Sequence, residues 1–535
     1  MPVRRAKGEE GFTMIMTMIG LALIATLVLA AVTAVGGEVG LTGYDLSQKR
    51  AYEAAKAGIN DYAYNLHQDN GYWSRCTNVP APSAVNQKGS TAKRRAVPGN
   101  SGATYALELI PATGQSTCDG TSLATATVSM LESLEPWKGT FRIRSTGFSG
   151  NAEASITATF KPASFLDYVY FTQLETSDPV TYGSETAIKG AYEQCAKTIQ
   201  EGRTTKKIPG TSQYCRTISF VGGDLIKGPL HTNDALVVCQ EPTFGRTASD
   251  PIEVSSPPTG WYSTGDDYLN ASSNCTGKPK FVGTYRTNSA VLIPPTTNSQ
   301  LATIAEPQFR FSKQVKICLN GESMTVNTSI KSGSQCNTGG TVLYSGSIPE
   351  NGVVYVSSGT CTGAYSPFLT TYPETSECGN VYVRGDYSGQ LTIAAENDIV
   401  IEGNLNSTSS EGMLGLIANN FIRVYHPVKI AENSYSHELE CKGNETGTPT
   451  NMEIDAAILA INHSFIVDNY DCGNSLGTLH VLGAISQKYR GAVGTTGGTG
   501  YIKDYVYDDR LHTITPPSFI EPVQSDWVIG RETID

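Results

Sequence analysis

From Phe12 to Val35 the chain runs 24 residues without a charge. As a helix that run would extend about 36 Å, enough to cross the ~30 Å hydrocarbon layer of a bilayer. Four Thr and one Gly are its only departures from apolar and Ala positions. Arg4, Arg5 and Lys7 stand ahead of it. Basic flanks stay on the cytoplasmic side, so the pattern predicts a single-pass inner (cytoplasmic) membrane segment with the rest of the chain outside. A secretory signal would have a core of about 7–15 residues and a small-residue cut site. Val35-Gly36-Gly37-Glu38 offers no good site of that kind, so the run reads as retained.

The cysteines agree with that placement. All twelve lie beyond residue 75: Cys76, Cys118, Cys195, Cys215, Cys239, Cys275, Cys318, Cys336, Cys361, Cys378, Cys441 and Cys472. An even set on one side of an apolar run points to an oxidising compartment and to disulfides. The absence of any CxxC argues against zinc knuckles and thioredoxin-type chemistry. Pairing between sequence neighbours is expected, such as Cys195 with Cys215 and Cys361 with Cys378. The full connectivity stays open, because twelve cysteines allow about 10⁴ complete pairings.

A chain of 535 residues is too long for one core. With 39% hydrophobic and 17% charged residues, 54 Gly and 26 Pro, it is turn-rich but globular. That excludes a coiled coil, a polytopic membrane protein and a charged disordered chain. Its net charge of −11, without a basic stripe, excludes nucleic acid as an expected partner.

Ala51, Ala55, Gly58, Ile59, Tyr62 and Leu66 recur at helical spacing, which predicts an amphipathic helix from about residue 44 to 66. Ala103–Pro111, Leu123–Met130, Gly139–Gly147 and Ala152–Lys161 read as four strands of an antiparallel sheet. Beyond residue 350, apolar clusters of three to six residues recur, many punctuated by Gly or Asn. Gly415–Val424 and Ala457–Val467 share one form: a short strand, a turn at Asn, a second strand. The pattern predicts a parallel β-helix, with Asn419, Asn420 and Asn462 at its corners. An irregular β-sandwich is the rival. The fold class expected is thus α+β and mostly β: an N-terminal transmembrane and amphipathic helix, a small antiparallel sheet, then a large β-rich domain built as a solenoid.

Gly8-Glu9-Glu10-Gly11-Phe12-Thr13-Met14-Ile15 resembles a type IV prepilin leader. The resemblance implies peptidase cleavage between Gly11 and Phe12. Ordinary pilins carry Glu at the fifth mature position, where this chain has Met16. Arg50-Ala-Tyr-Glu-Ala-Ala-Lys-Ala-Gly-Ile59 is similar to the segment of PilX-type minor pilins that carries Ala-Glu-Ala-Gly. Leu391–Leu405, Ala484–Gly494, Asp504–Arg510 and Pro516-Pro517 resemble a domain of unknown function in bacterial surface proteins. These resemblances divide the chain into a leader (1–11), an apolar helix continuing as an amphipathic one (12–70), a pilin-head-like sheet (75–164) and a disulfide-rich β domain (165–535). They imply a minor subunit of a type IV pilus or related cell-surface filament, serving assembly or adhesion. The partners implied are other pilins through the N-terminal helix, a prepilin peptidase, the membrane, and a surface or polysaccharide ligand.

Catalytic patterns are scarce. Seven His occur, none in HExxH, and no GxSxG, P-loop or GxGxxG is present. His231-Thr-Asn-Asp234 reads as a turn cap before a metal or catalytic group. Asp504, Asp508, Asp509 and Arg510 read as ion pairs that tie down the C-terminal segment. Paired carboxylates there would instead suit a polysaccharide-active enzyme on a β-helix, and an uncleaved structural surface protein is a third reading. No enzyme activity, cofactor or metal is expected.

Overall fold

The computed structural model describes residues 10–69, 71–76, 94–99, 102–133, 139–203, 207–263, 276–329, 339–363, 365–368, 375–433, 439–495, 497–523 and 527–534. The chain forms two compact units, Met1–Pro162 with Trp527–Asp535, and Ala163–Asp526.

The first unit is a long helix on an antiparallel sheet. Helix α1 spans Glu10–Gln68, 59 residues, or about 88 Å. It continues through Gly36 and Gly37, which interrupt the sequence pattern but not the helix. The sheet order is Arg95–Ala96, Thr104–Ile110, Phe141–Ser149, Ala152–Pro162 and Trp527–Ile534. Its last strand comes from the C-terminal end of the chain, pairing Ile534 with Ile156.

The C-terminal half of α1 packs on this sheet through small residues. Ala51, Ala54, Ala55 and Ile59 are almost fully buried. A Cβ on Gly147 would stand 1.9 Å from the Ala51 carbonyl oxygen, and one on Gly58 would stand 2.2 Å from Ser145 Oγ. Glycine at both positions is what lets helix and strand backbones approach. Further along, Tyr62 and Leu66 join Tyr72, Trp73, Phe141 and Phe160 in an aromatic core, with Trp527 against Phe141 at 4.9 Å between ring centroids.

Leu123–Met130, expected as a strand, is helix α2. Its alternating Ala and β-branched residues fit either state. The N-terminus decides, because Ser122 and Thr125 form a reciprocal capping box with bonds of 3.0 and 3.2 Å.

The second unit gathers its main strands into one 21-stranded sheet. A parallel ladder runs through Val354, Ile393, Leu416, Ile458, Ile485, Tyr170, Leu230 and Ile252. Every one of these side chains is buried. Asn420 donates to Asn397 at 2.6 Å and Asn397 to Asn380 at 2.7 Å, so amides link the starts of three neighbouring parallel strands. The ladder does not follow chain order. Strand Tyr170–Ser177, the first of the unit, lies between Ser475–Arg490 and Leu230–Thr232.

Two sequence expectations are corrected here. Among the described residues no helix is long and apolar enough to cross a membrane. Helix α1 does not stop at the end of the Phe12–Val35 run but goes on into charged sequence. The transmembrane segment and the single-pass membrane location drawn from it are therefore withdrawn. The β-helix expectation is also withdrawn. The described strands form a mixed sheet, with no closed barrel and no solenoid of equivalent coils. Val315–Gly321, Ser323–Asn327 and Val342–Ser347 form an antiparallel meander within it. Strand lengths in this sheet range from 2 to 16 residues, and the connections between them vary widely, so no coil repeats the last.

Candidate functional site

Where Tyr170–Ser177 meets Ser475–Arg490, the second unit opens a cleft of about 830 Å³, within the size range of small-ligand sites. Its principal lining residues are Tyr182, Arg216, Asp224, Tyr470, Tyr501 and Lys503.

One wall is an excursion between Tyr170–Ser177 and the next ladder strand, Leu225–Lys227. The excursion opens with Asp178, whose carboxylate accepts from Val180 N–H at 3.2 Å and caps the turn Pro179–Tyr182. Ser184 caps helix α3, Glu185–Gln194. Tyr182, Ala187, Ala191 and Ile208 make a small core around the Cys195–Cys215 disulfide. Arg216 follows that disulfide directly. Its backbone N–H donates to the Tyr182 hydroxyl, and its Nη2 donates to the Thr181 carbonyl at 2.6 Å. The guanidinium lies 4.1 Å from the Tyr182 ring centre, within cation–π range.

The floor is an ion pair. Lys503 Nζ donates to Asp224 Oδ2 at 2.7 Å, and both side chains are nearly buried. Burial pushes the Lys503 ammonium below the usual lysine range, against the opposing pull of Asp224. The far wall carries Tyr470, its ring tilted at 59° to that of Phe368 with centroids 5.5 Å apart. Tyr501 is held by its hydroxyl, which donates to the Pro449 carbonyl at 2.6 Å.

Beneath the cleft the buried charges are matched. Arg490 meets Glu175 at 2.9 Å and lies 3.4 Å from the Phe220 ring centre. Burial raises the Glu175 carboxyl above its ordinary value despite Arg490. Arg203 pairs with Asp234. Arg423 meets Asp398 at 3.5 Å on another part of the sheet. Arg216 has no ion pair with a carboxylate among the described residues. The cleft thus offers one cation without a direct ion pair, with Asp471 within electrostatic range of it, beside aromatic side chains and hydroxyls, an arrangement that can bind an anionic ligand.

The residues singled out in the sequence lie elsewhere. Gly11 and Phe12 fall in the first turns of α1, and their side chains lie outside the described residues. Met16 is exposed on the same helix. Disulfides join Cys76–Cys118, Cys195–Cys215, Cys361–Cys378 and Cys441–Cys472. Cys239 and Cys318 are disulfide-bonded as well, while Cys275 and Cys336 lie outside the described residues.

His231 is buried between Asn233 at 3.1 Å and Glu253 at 3.3 Å, and Asn233 bonds the Leu292 backbone. The acidic group is dispersed. Asp504 faces Lys227 and His480, Asp509 faces Arg246, and Asp508 faces Arg510. Arg510 also holds the carbonyls of Ser409, Ser410 and Gly412. No group of three or more His, Cys, Asp or Glu among the described residues is placed to hold a metal. The sequence reading missed the cleft. Its only trace there is an excess of Tyr, 27 against 15 Phe, with Tyr214 and Tyr470 close to cysteines.

No family model matches the chain, and no curated protein matches it. Among solved structures, the competence-associated pilin ComZ from Thermus thermophilus is similar at 12% identity, covering 91% of this chain and 97% of that one, with a TM-score of 0.27. That score is too low for the likeness to carry an argument.

Proposed function

We propose that this chain is a pilin-like surface subunit that joins a filament of the type IV class as a minor component. The observation that carries the reading is the contrast along α1. Met14, Leu21, Leu27 and Leu29 are each about two-thirds exposed, at 67, 67, 66 and 69%. Further along the same helix, Ala51, Ala55 and Ile59 are at 0%. A long apolar surface left open beside a finished helix–sheet unit needs a partner. The partner proposed is the equivalent helix of neighbouring subunits. The leader-like Gly11-Phe12 junction and the small-residue face at Gly58 support the same reading. Met16, where ordinary pilins carry Glu, supports a minor role. The proposal includes no catalysed reaction.

The test is incorporation. In the source cell, sheared filaments are expected to contain the wild-type chain and to lack the doubly charged variant Leu21→Glu/Leu27→Glu, while both reach equal levels with the Cys76–Cys118 disulfide intact. Equal incorporation of the variant, or absence of the wild type from filaments, would overturn the proposal. Gly11→Ala is expected to leave a species longer by the leader.

A further inference from the structure

We infer that the cleft at Arg216 binds an acidic saccharide, a glycan bearing hexuronate carboxylates. The inference concerns the second unit and does not depend on the subunit role proposed above.

The first support is charge. Three charged side chains line the cleft: Arg216, Asp224 and Lys503. Asp224 and Lys503 pair at 2.7 Å, which leaves Arg216 as the lining cation without a direct partner, though Asp471 lies within its electrostatic range. Burying a cation is costly unless it is paired. Arg203, Arg423 and Arg490 obey that rule, each against a carboxylate. Arg216 is half-buried and spends Nη2 on Thr181. The guanidinium is held in place by the Tyr182 ring, the adjacent Cys215 disulfide and the Thr181 carbonyl. A planar guanidinium held in one orientation is suited to a carboxylate.

The second support is the lining. Phe368 is exposed and Tyr470 partly exposed, and both line the cleft. Ser219 and Thr495 add hydroxyls that donate and accept. A pyranose has C–H faces that lie against rings and an edge of hydroxyls that needs both donors and acceptors. A uronate adds a carboxylate within ion-pair reach of Arg216. A nucleic-acid strand would need several unpaired cations along its path, and this cleft has one in a chain of net charge −11.

The test is calorimetric titration of the full-length chain with four probes: a galacturonate trimer, its methyl ester, a neutral galactose trimer and single-stranded DNA. The acidic trimer is expected to bind at least about tenfold more tightly than the ester or the neutral trimer, as the loss of one charge-assisted contact implies. Arg216→Gln is expected to reduce binding of the acidic trimer to the level of its ester. Tyr470→Ala is expected to weaken all three sugars together. Equal affinity for acid and ester, no saturable sugar binding, or tighter binding of DNA would overturn the inference. The ester arm uses wild-type protein, so the comparison stands even where the Arg216 variant misfolds.

Discussion

His463 Nδ1 lies 3.0 Å from both carboxylate oxygens of Asp178, a residue 285 positions earlier in the chain. Ser464 Oγ donates to the same carboxylate at 3.0 Å, and the imidazole stacks on Phe421 at 4.4 Å. Asp178 opens the excursion that carries Arg216. The pair therefore fastens that wall of the cleft to the parallel ladder.

This contact makes stability depend on pH. Burial opposes the imidazolium, but Asp178 outweighs it and the His463 pKa is raised. A raised folded-state value means that the contribution is fully present below the unfolded-state value of about 6.5. It is lost as pH climbs through the folded-state value. Thermal unfolding of wild type and His463→Gln is expected to differ most at acidic pH and to converge on the alkaline side. A constant gap from pH 5 to 9 would show that the contact is not ionic.

Arg490 and Glu175 are 1% and 0% exposed. Removing either partner leaves a buried charge uncompensated, at about 3–5 kcal/mol. Arg490→Met and Glu175→Gln are each expected to lower stability by roughly that amount, and the double variant by less than their sum. Strict additivity in denaturant unfolding would mean that the two side chains do not act as a pair.

Gly58 and Gly147 should accept no side chain. Gly58→Val and Gly147→Val force helix and sheet apart and are expected to cost about 1–3 kcal/mol or more by overpacking. Loss of the tyrosine and tryptophan near-ultraviolet dichroism contributed by the core at Tyr62, Trp73 and Trp527 would report the displacement. Neither substitution should change sugar binding, because the cleft belongs to the other unit.

The Cys195–Cys215 bridge closes a separation of 20 residues. By the chain-entropy account, its loss costs about 3 kcal/mol. Cys195→Ser/Cys215→Ser is expected to expose 178–216 to proteolysis and to weaken acidic-saccharide binding. The rest of the unit should resist cleavage, since its ladder runs elsewhere. Proteolysis spread evenly over the unit would contradict this local role.

Periodicity in the sequence by itself determined the helical register of Ala51, Ala55, Ile59, Tyr62 and Leu66. It also marked the short apolar clusters that became ladder strands, and neighbour spacing anticipated two of the disulfides. These features are local: a helix face or a strand shows its pattern within a few residues. The capping box of Ser122 with Thr125, which makes α2 a helix, is local as well. Tertiary structure alone decided the rest. Trp527–Ile534 closed the first sheet from the far end of the chain. Insertion of Tyr170–Ser177 beside Ser475–Arg490 brought Arg216 to Lys503 and Asp178 to His463. Pairing between strands so far apart depends on hydrogen-bond register and shared burial, and neither leaves a mark in the spacing of residues along one segment.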